Sequence, residues 1–151
     1  MNDSHMTQEI TAAVIQALKN ERMTLEEALT IIKRGEDMAT SLHVPMVFTV
    51  VDEGGNLTAM HRMDNSLLAA ISVSHSKAYT AAALRTPTDE AAKAILPGQP
   101  LYGLQETHPG KFCLFGGGIP LIRNGRLTGA LGVSGGTVEQ DIAVARHCAG
   151  I

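Results

Sequence analysis

The most constraining feature of the chain is a dipeptide, Asn124-Gly125, set between two short apolar runs at residues 119–123 and 126–133. A type I′ turn needs positive φ at both central positions, which asparagine and glycine tolerate, and its twist matches that of paired strands. An antiparallel hairpin is predicted there. A second turn, Asp52-Glu53-Gly54-Gly55-Asn56, follows the β-prone run at 46–51 and precedes a run at 57–62 that can return beside it. With hairpins outnumbering crossovers, an α+β fold on an antiparallel sheet is favoured over a doubly wound parallel one.

Helices account for much of the rest. The first ten residues are expected to form a mobile tail, and Ser4-His5-Met6 resembles the scar of a cloning site, so His5 enters no functional argument. Residues 7–19 carry Ile10, Val14, Ala17 and Leu18 at helical spacing. Thr24-Leu25-Glu26-Glu27 has the form of a capping box, and Pro45 requires the helix it opens to stop near Leu42. Leu25, Leu29, Ile32, Glu36 and Ala39 are expected to share its inner face. Residues 66–84 read as an alanine-rich helix that packs closely on a sheet or another subunit, and Thr86-Pro87-Thr88 breaks it before one or two turns at 89–95. Residues 97–111 form the longest irregular stretch, of the kind that is commonly functional or mobile. A short strand is expected at 112–115. Thr137 and Gln140 have capping-box spacing, opening a last helix with Val138, Ile142 and Ala145 on its apolar face. The element order is α–α–β–β–α–β–β–β–α, with residues 1–23 as tail and short helix and 24–151 as a single domain.

Composition narrows the function classes. The 151 residues carry a formal charge of −3, against the basic balance that phosphate neutralisation demands, and three Phe, two Tyr and no Trp offer few platforms for stacking bases. Nucleic acid is therefore not an expected partner. No apolar run approaches the roughly 20 residues of a membrane span, and no basic-then-apolar leader opens the chain, so a cytoplasmic protein is expected. Cys113 and Cys148 make neither a disulfide framework nor a metal-ligand pair, and are expected to be free, buried thiols.

Three sets of residues could carry chemistry. Ser74-His75-Ser76-Lys77 matches the S-x-x-K spacing of serine acyl-transfer enzymes, yet the accompanying S-D-N and K-T-G elements are absent, which leaves Lys77 as an ion partner or ligand anchor. Gly116-Gly117-Gly118 and Gly135-Gly136 fit neither a dinucleotide fingerprint nor a P-loop. They read either as tight turns and bulges or as amides converging on an anion the size of a carboxylate or propionate. His43, His61, His75, His108 and His147 never pair at i, i+4 and show no zinc pattern, so no metal site is expected. His61 and His75 flank the loop that follows the second strand, with Arg62 and Asp64 supplying charge at that edge.

Read together, five blocks carry a family resemblance. Residues 50–57 (Val50-Val51-Asp52-Glu53-Gly54-Gly55-Asn56-Leu57), Arg62-Met63-Asp64, and Ser76-Lys77-Ala78-Tyr79-Thr80-Ala81 are the first three. Phe115-Gly116-Gly117-Gly118-Ile119-Pro120-Leu121 and residues 132–141, from Gly132 through Ser134-Gly135-Gly136-Thr137 to Asp141, complete the set. In this order the chain resembles the GlcG/HbpS family and the C-terminal domain of the PduO cobalamin adenosyltransferases. The resemblance implies a profilin-like fold with a central antiparallel sheet of about five strands flanked by helices. It also implies homo-oligomers, often octamers, and haem binding in some relatives. A haem-ligating histidine in an early helix has no counterpart here, because no His lies between residues 7 and 42. A haem would instead need His43, His61 or His75. The adenosyltransferase chemistry of PduO belongs to its other domain and does not carry over.

The expected function is a non-catalytic small-ligand (haem by resemblance) binding protein, accessory to a catabolic or cobalamin-dependent pathway such as glycerol or diol utilisation. Its anionic ligand would be held by Asp52, Glu53, Gly54, Gly55, Arg62, Lys77, Gly116, Gly117, Gly118, Gly135 and Gly136, with the three glycine loops sharing one end of the sheet. Two rivals stand beside it. One is an enzyme acting on a small carboxylate or hydroxy acid through Lys77 with Asp52 or His75, and the other a purely structural oligomeric module.

Overall fold

The computed structural model describes residues 3–19 and 22–151. Its sheet grows from the two turns. β1 (Val47–Asp52) and β2 (Leu57–Arg62) pair antiparallel across Asp52–Asn56, and β3 (Gly118–Arg123) pairs with β4 (Arg126–Ser134) across Asn124-Gly125. Both central residues of the second turn have positive φ, 51° and 75°, as a type I′ turn requires. β1 and β4 join the hairpins antiparallel, giving the order β2-β1-β4-β3. The sheet thus has four strands rather than about five. The strand expected at 112–115 does not form because its amides leave the ladder: Phe112 donates to the His108 carbonyl and Cys113 to Thr80 Oγ1.

Among the described residues there are five α-helices. They are α1 (Asp3–Lys19), α2 (Leu25–Ser41), α3 (Ala69–Leu84), α4 (Thr88–Ile95) and α5 (Val138–Ala149). Strand periodicity sorts the two faces. Phe48 and Val50 of β1, with Leu131 and Val133 of β4, point into a core shared with α2 and α5. Val51 and Ala130 point to the other face, where Ala78, Ala81 and Ala82 of α3 meet them. The Thr49 and Ser74 hydroxyls satisfy each other there at 2.8 Å.

Small residues let α3 lie against the strands. A Cβ at Gly132 would come within 1.9 Å of the Ser74 carbonyl oxygen, and one at Gly118 within 2.5 Å of the Lys77 carbonyl oxygen. The alanine-rich helix therefore packs on the sheet.

Both expected cap residues cap their helices, although Glu27 pairs with Arg123 instead of closing the box at Thr24, while helix faces do not follow the sequence. Thr24 accepts from the Glu27 amide, and Thr137 and Gln140 form a reciprocal capping box. Yet α2 buries Ala28, Ile31, Ile32, Gly35 and Ala39, leaving Leu25 and Leu29 exposed. Gly35 is the reason: an added Cβ would lie 2.3 Å from the Phe48 ring and 2.5 Å from Cys148 Sγ, so the face of closest approach has to carry small residues. On α5, Val144, Ala145 and Cys148 are buried, and Val138 is exposed. The tail expected at the N-terminus is helix from Asp3 onward, and its first two residues lie outside the described residues.

Candidate functional site

Strand register separates the glycine loops. Val47 pairs with Ser134 and Asp52 with Gly129, so the Gly54-Gly55 turn and the Gly135-Gly136 loop leave opposite ends of the sheet. Gly118 pairs with Gly132, placing Gly116–Gly118 at the Gly135 end. The three loops therefore do not share one end. Arg62, paired with Val47, also lies away from the Gly54 turn and is exposed.

At the Gly135 end the structure is closed. Lys77, only 1% exposed, donates from Nζ to the Val133 carbonyl at 2.9 Å and to Asp141 Oδ2 at 2.7 Å. The Gly136 amide donates to Asp141 Oδ1 at 2.9 Å. An anion does sit at this glycine loop and helix N-terminus, and it is the chain's own carboxylate. Burial pushes the Asp141 carboxyl above the usual carboxylate range, and Lys77 with the amides of Gly136 and Gly135 pulls it back. Gly116, Gly117 and Gly118 are all buried, and a Cβ on Gly117 would meet the Val133 carbonyl at 2.7 Å and Lys77 Nζ at 3.2 Å. Gly117 also has φ 113°, a conformation that favours glycine.

The other end is open. Asp52 Oδ1 accepts from the Gly54 and Asn56 amides, both at 2.9 Å, and the Asp52 carbonyl accepts from the Gly55 amide. These amides too hold an internal carboxylate, while exposed Glu53 pairs with Arg22. Beside the turn lies a cleft of about 350 Å³, lined by Gly54, Gly55, Asn56, His75, Ser76, Tyr79, Gly110 and Lys111. Gly55, at φ 78°, lets the turn approach the Tyr79 ring, which an added Cβ would meet at 3.1 Å. Lys111 Nζ stands 5.4 Å from the centre of that ring. Phe112 continues the aromatic surface, 6.0 Å from Tyr79, with His108 stacked on it at 4.5 Å.

Of the residues expected at a site, the cleft gathers Gly54, Gly55 and His75. Lys77 does not line it, so Lys77 does not converge with Asp52 or His75 for acid–base work. His61 is tied through Nδ1 to Glu36 at 2.8 Å. His43 borders a separate hollow of about 320 Å³ with Val44, Pro45, Met63 and Asp64. A further groove between α2 and β3 contains the paired Glu27 and Arg123. Among the described residues, no group of three or more His, Cys, Asp or Glu is placed to hold a metal, and no helix is long and apolar enough to cross a membrane.

Ser76 and Tyr79 stand in the third resemblance block without having been expected at the site, and Lys111 was not expected there either. Two signals pointed to them: His75 and Tyr79 stand at i, i+4 on one helix, and Lys111 ends the long irregular stretch.

Comparison with known proteins agrees with this architecture. The family model described as haem degrading protein HbpS-like matches residues 23–149. An uncharacterized 15.0 kDa protein in the dhaT-dhaS intergenic region of Citrobacter freundii is 49% identical over 119 residues, covering 79% of this chain and 84% of that one. The corrinoid adenosyltransferase PduO of the same organism is 41% identical over 123 residues. That match covers 82% of this chain but 37% of PduO, so the chain spans little more than a third of that relative. The crystal structure of a PduOC:heme complex superposes with a TM-score of 0.82 at 37% identity, covering 85% of this chain and 94% of that one.

Proposed function

The chain belongs to the HbpS-like family, and from that premise we propose that it is a ligand-binding accessory protein whose ligand is a planar anion of the haem class, held in the cleft beside the Gly54-Gly55 turn. The carrying observation is the lining itself. An imidazole (His75), a cation (Lys111) and a flat ring (Tyr79) converge on about 350 Å³ of open space. Those groups match what such a ligand presents: a metal for the imidazole, a propionate for the ammonium, and a ring face for the tyrosine. The likeness to the PduOC:heme complex supports the ligand class, and the likeness to a dhaT-dhaS intergenic protein supports a role beside diol utilisation.

A haem, when bound, supplies an iron whose behaviour is set by its ligands and surroundings. The chain's own residues bind and orient. His75 is exposed on α3 and offers its imidazole at the cleft rim. Lys111 rests over Tyr79, where its charge can face a carboxylate. Ser76 Oγ donates to the Gly110 carbonyl at 3.4 Å, tying the loop that carries Lys111 to the helix that carries His75.

Titration of the protein with hemin, read by absorbance, tests the proposal. A saturable Soret shift is expected, lost in His75→Ala and weakened about tenfold in Lys111→Ala, the size of one charge-assisted hydrogen bond. A spectrum indistinguishable from free hemin overturns it. A thermal-shift screen including hemin, cobalamin and short organic acids then separates ligand binding from a purely structural role, since any ligand selective for the folded state raises the melting temperature.

A further inference from the structure

The cleft is lined by one imidazole, that of His75, and a second stands one ring removed from its wall. His108 is exposed and stacks on Phe112 at 4.5 Å, and Phe112 lies 6.0 Å from the Tyr79 ring that lines the cleft. Backbone bonds fix its place. The His108 carbonyl accepts from the amides of Lys111 at 3.0 Å and Phe112 at 3.4 Å, and the His108 amide donates to the Gln105 carbonyl at 3.3 Å. One tight turn, stiffened by the ring of Pro109, thus carries both His108 and the cleft's cation Lys111.

Thr107 decides what this imidazole can do. Its hydroxyl donates to the Leu104 carbonyl at 2.6 Å. A hydroxyl has one hydrogen to give, so at its 2.7 Å contact with His108 Nδ1 the Thr107 oxygen accepts. Nδ1 therefore carries the N–H, and in the neutral ring the lone pair sits on Nε2. Nε2 has no partner among the described residues. Metal-ligating histidines share this arrangement: one nitrogen donates to an oxygen that fixes tautomer and ring orientation, and the other is left for the metal. His61 is also held through Nδ1, by Glu36, but it belongs to β2 and lines no part of the cleft.

We propose that His108 is a second axial ligand for the metal of the cleft's ligand, with Thr107 as the residue that positions it. The inference rests on the haem-class reading of the cleft and narrows it to a macrocycle whose metal takes two imidazoles. A metal-free planar anion would use Lys111 and Tyr79 but neither nitrogen lone pair. His75 belongs to α3 and His108 to the irregular stretch at 97–111, so the two imidazoles come from separate elements, as ligands on opposite faces of one plane require.

Two measurements on the full chain test it, the first without ligand. Nitrogen NMR of the imidazoles in the free protein is expected to show His108 protonated at Nδ1, a tautomer kept in Thr107→Ser and lost in Thr107→Val. An Nε2–H tautomer in the parent overturns the proposal. Hemin is then added, and its spin state is read by absorbance and electron paramagnetic resonance. The parent should be low-spin and His108→Ala high-spin, with added imidazole returning the variant to low spin. Thr107→Val should weaken binding about tenfold, the size of losing the outer partner of a ligating histidine, while Thr107→Ser behaves as the parent. Iron-free protoporphyrin should bind the parent and His108→Ala alike; weaker binding to the variant makes His108 a stacking surface and overturns its role as a ligand. A Soret shift with a high-spin parent, or a low-spin spectrum that survives His108→Ala, overturns that role too and leaves the cleft reading standing. Absence of any Soret shift overturns the cleft reading and this inference with it.

Discussion

The two ends of the sheet are made from the same materials: paired glycines, a carboxylate and the backbone amides that hold it. At one end Asp141 accepts from the Gly136 amide and meets Lys77, with both side chains buried. At the other, Asp52 accepts from Gly54 and Asn56 in a turn at the surface, and the space beside it stays open. Glycine at the closed end brings backbones together, and at the open end it makes a turn beside a ring. The same residue pattern thus serves as structure or as the wall of a site according to what the next layer of packing places over it.

The comparison breaks most sharply at Lys77. Lys77→Met should cost about 3–5 kcal/mol at neutral pH, since it leaves Asp141 buried without its counter-charge. Lys77 is a group that lowers the Asp141 value, so its loss raises the folded value further above the unfolded one. The folded state then holds the carboxyl proton to higher pH than the unfolded chain. Stability of the variant falls as the pH rises out of the ordinary carboxylate range, and the deficit against the parent is larger at pH 7 than at pH 4. Urea unfolding at the two pH values measures this. The double variant Lys77→Met/Asp141→Leu should recover most of the loss, as apolar replacements of buried pairs commonly do.

Gly132→Ala comes next, at about 3 kcal/mol, because its Cβ meets backbone oxygen of α3 that has no free direction to move. Gly54→Ala, where the nearest atom is Nδ2 of the Asn56 side chain on an exposed turn, should cost less than about 1 kcal/mol in the same assay. An equal loss at both positions would erase the distinction between the two ends.

His75→Ala and Lys111→Ala should each change stability by no more than about 0.5 kcal/mol while abolishing or weakening hemin binding. Destabilisation as large as that of Lys77→Met would mark the open end as structural.

The smallest effect is chemical. Burial pushes the Cys148 thiol up to about 12 and raises Cys113 as well. Iodoacetamide at pH 8 should therefore leave Cys148 unlabelled in the native protein and label it in urea, with half-buried Cys113 reacting faster.

Much of this was legible in the chain because it is local. Asn124-Gly125 called for its hairpin, Thr24 and Thr137 for their caps, and the run at 57–62 for a returning strand, each through interactions among residues close in sequence. The resemblance in five blocks located the family from turns, a cap, close-packing glycines and the stretch of α3 that carries Lys77. The inner face of α2 was not legible, because periodicity ranks leucine above glycine and has no knowledge of Phe48 waiting across the core. Nor was the missing strand at 112–115, whose amides are claimed by the His108 carbonyl and the Thr80 hydroxyl, the latter more than thirty positions away.

The sequence by itself settled the antiparallel α+β architecture, the positions of its turns and caps, and the existence of three glycine loops and a lysine in need of a partner. Which loops meet was left to the tertiary structure, because strand register and the packing of α3 across the sheet decide it through long-range contacts. Those contacts put Lys77 beside Asp141 and sealed one end, and they carried His75, Tyr79 and Lys111 to the other, where a cleft remains.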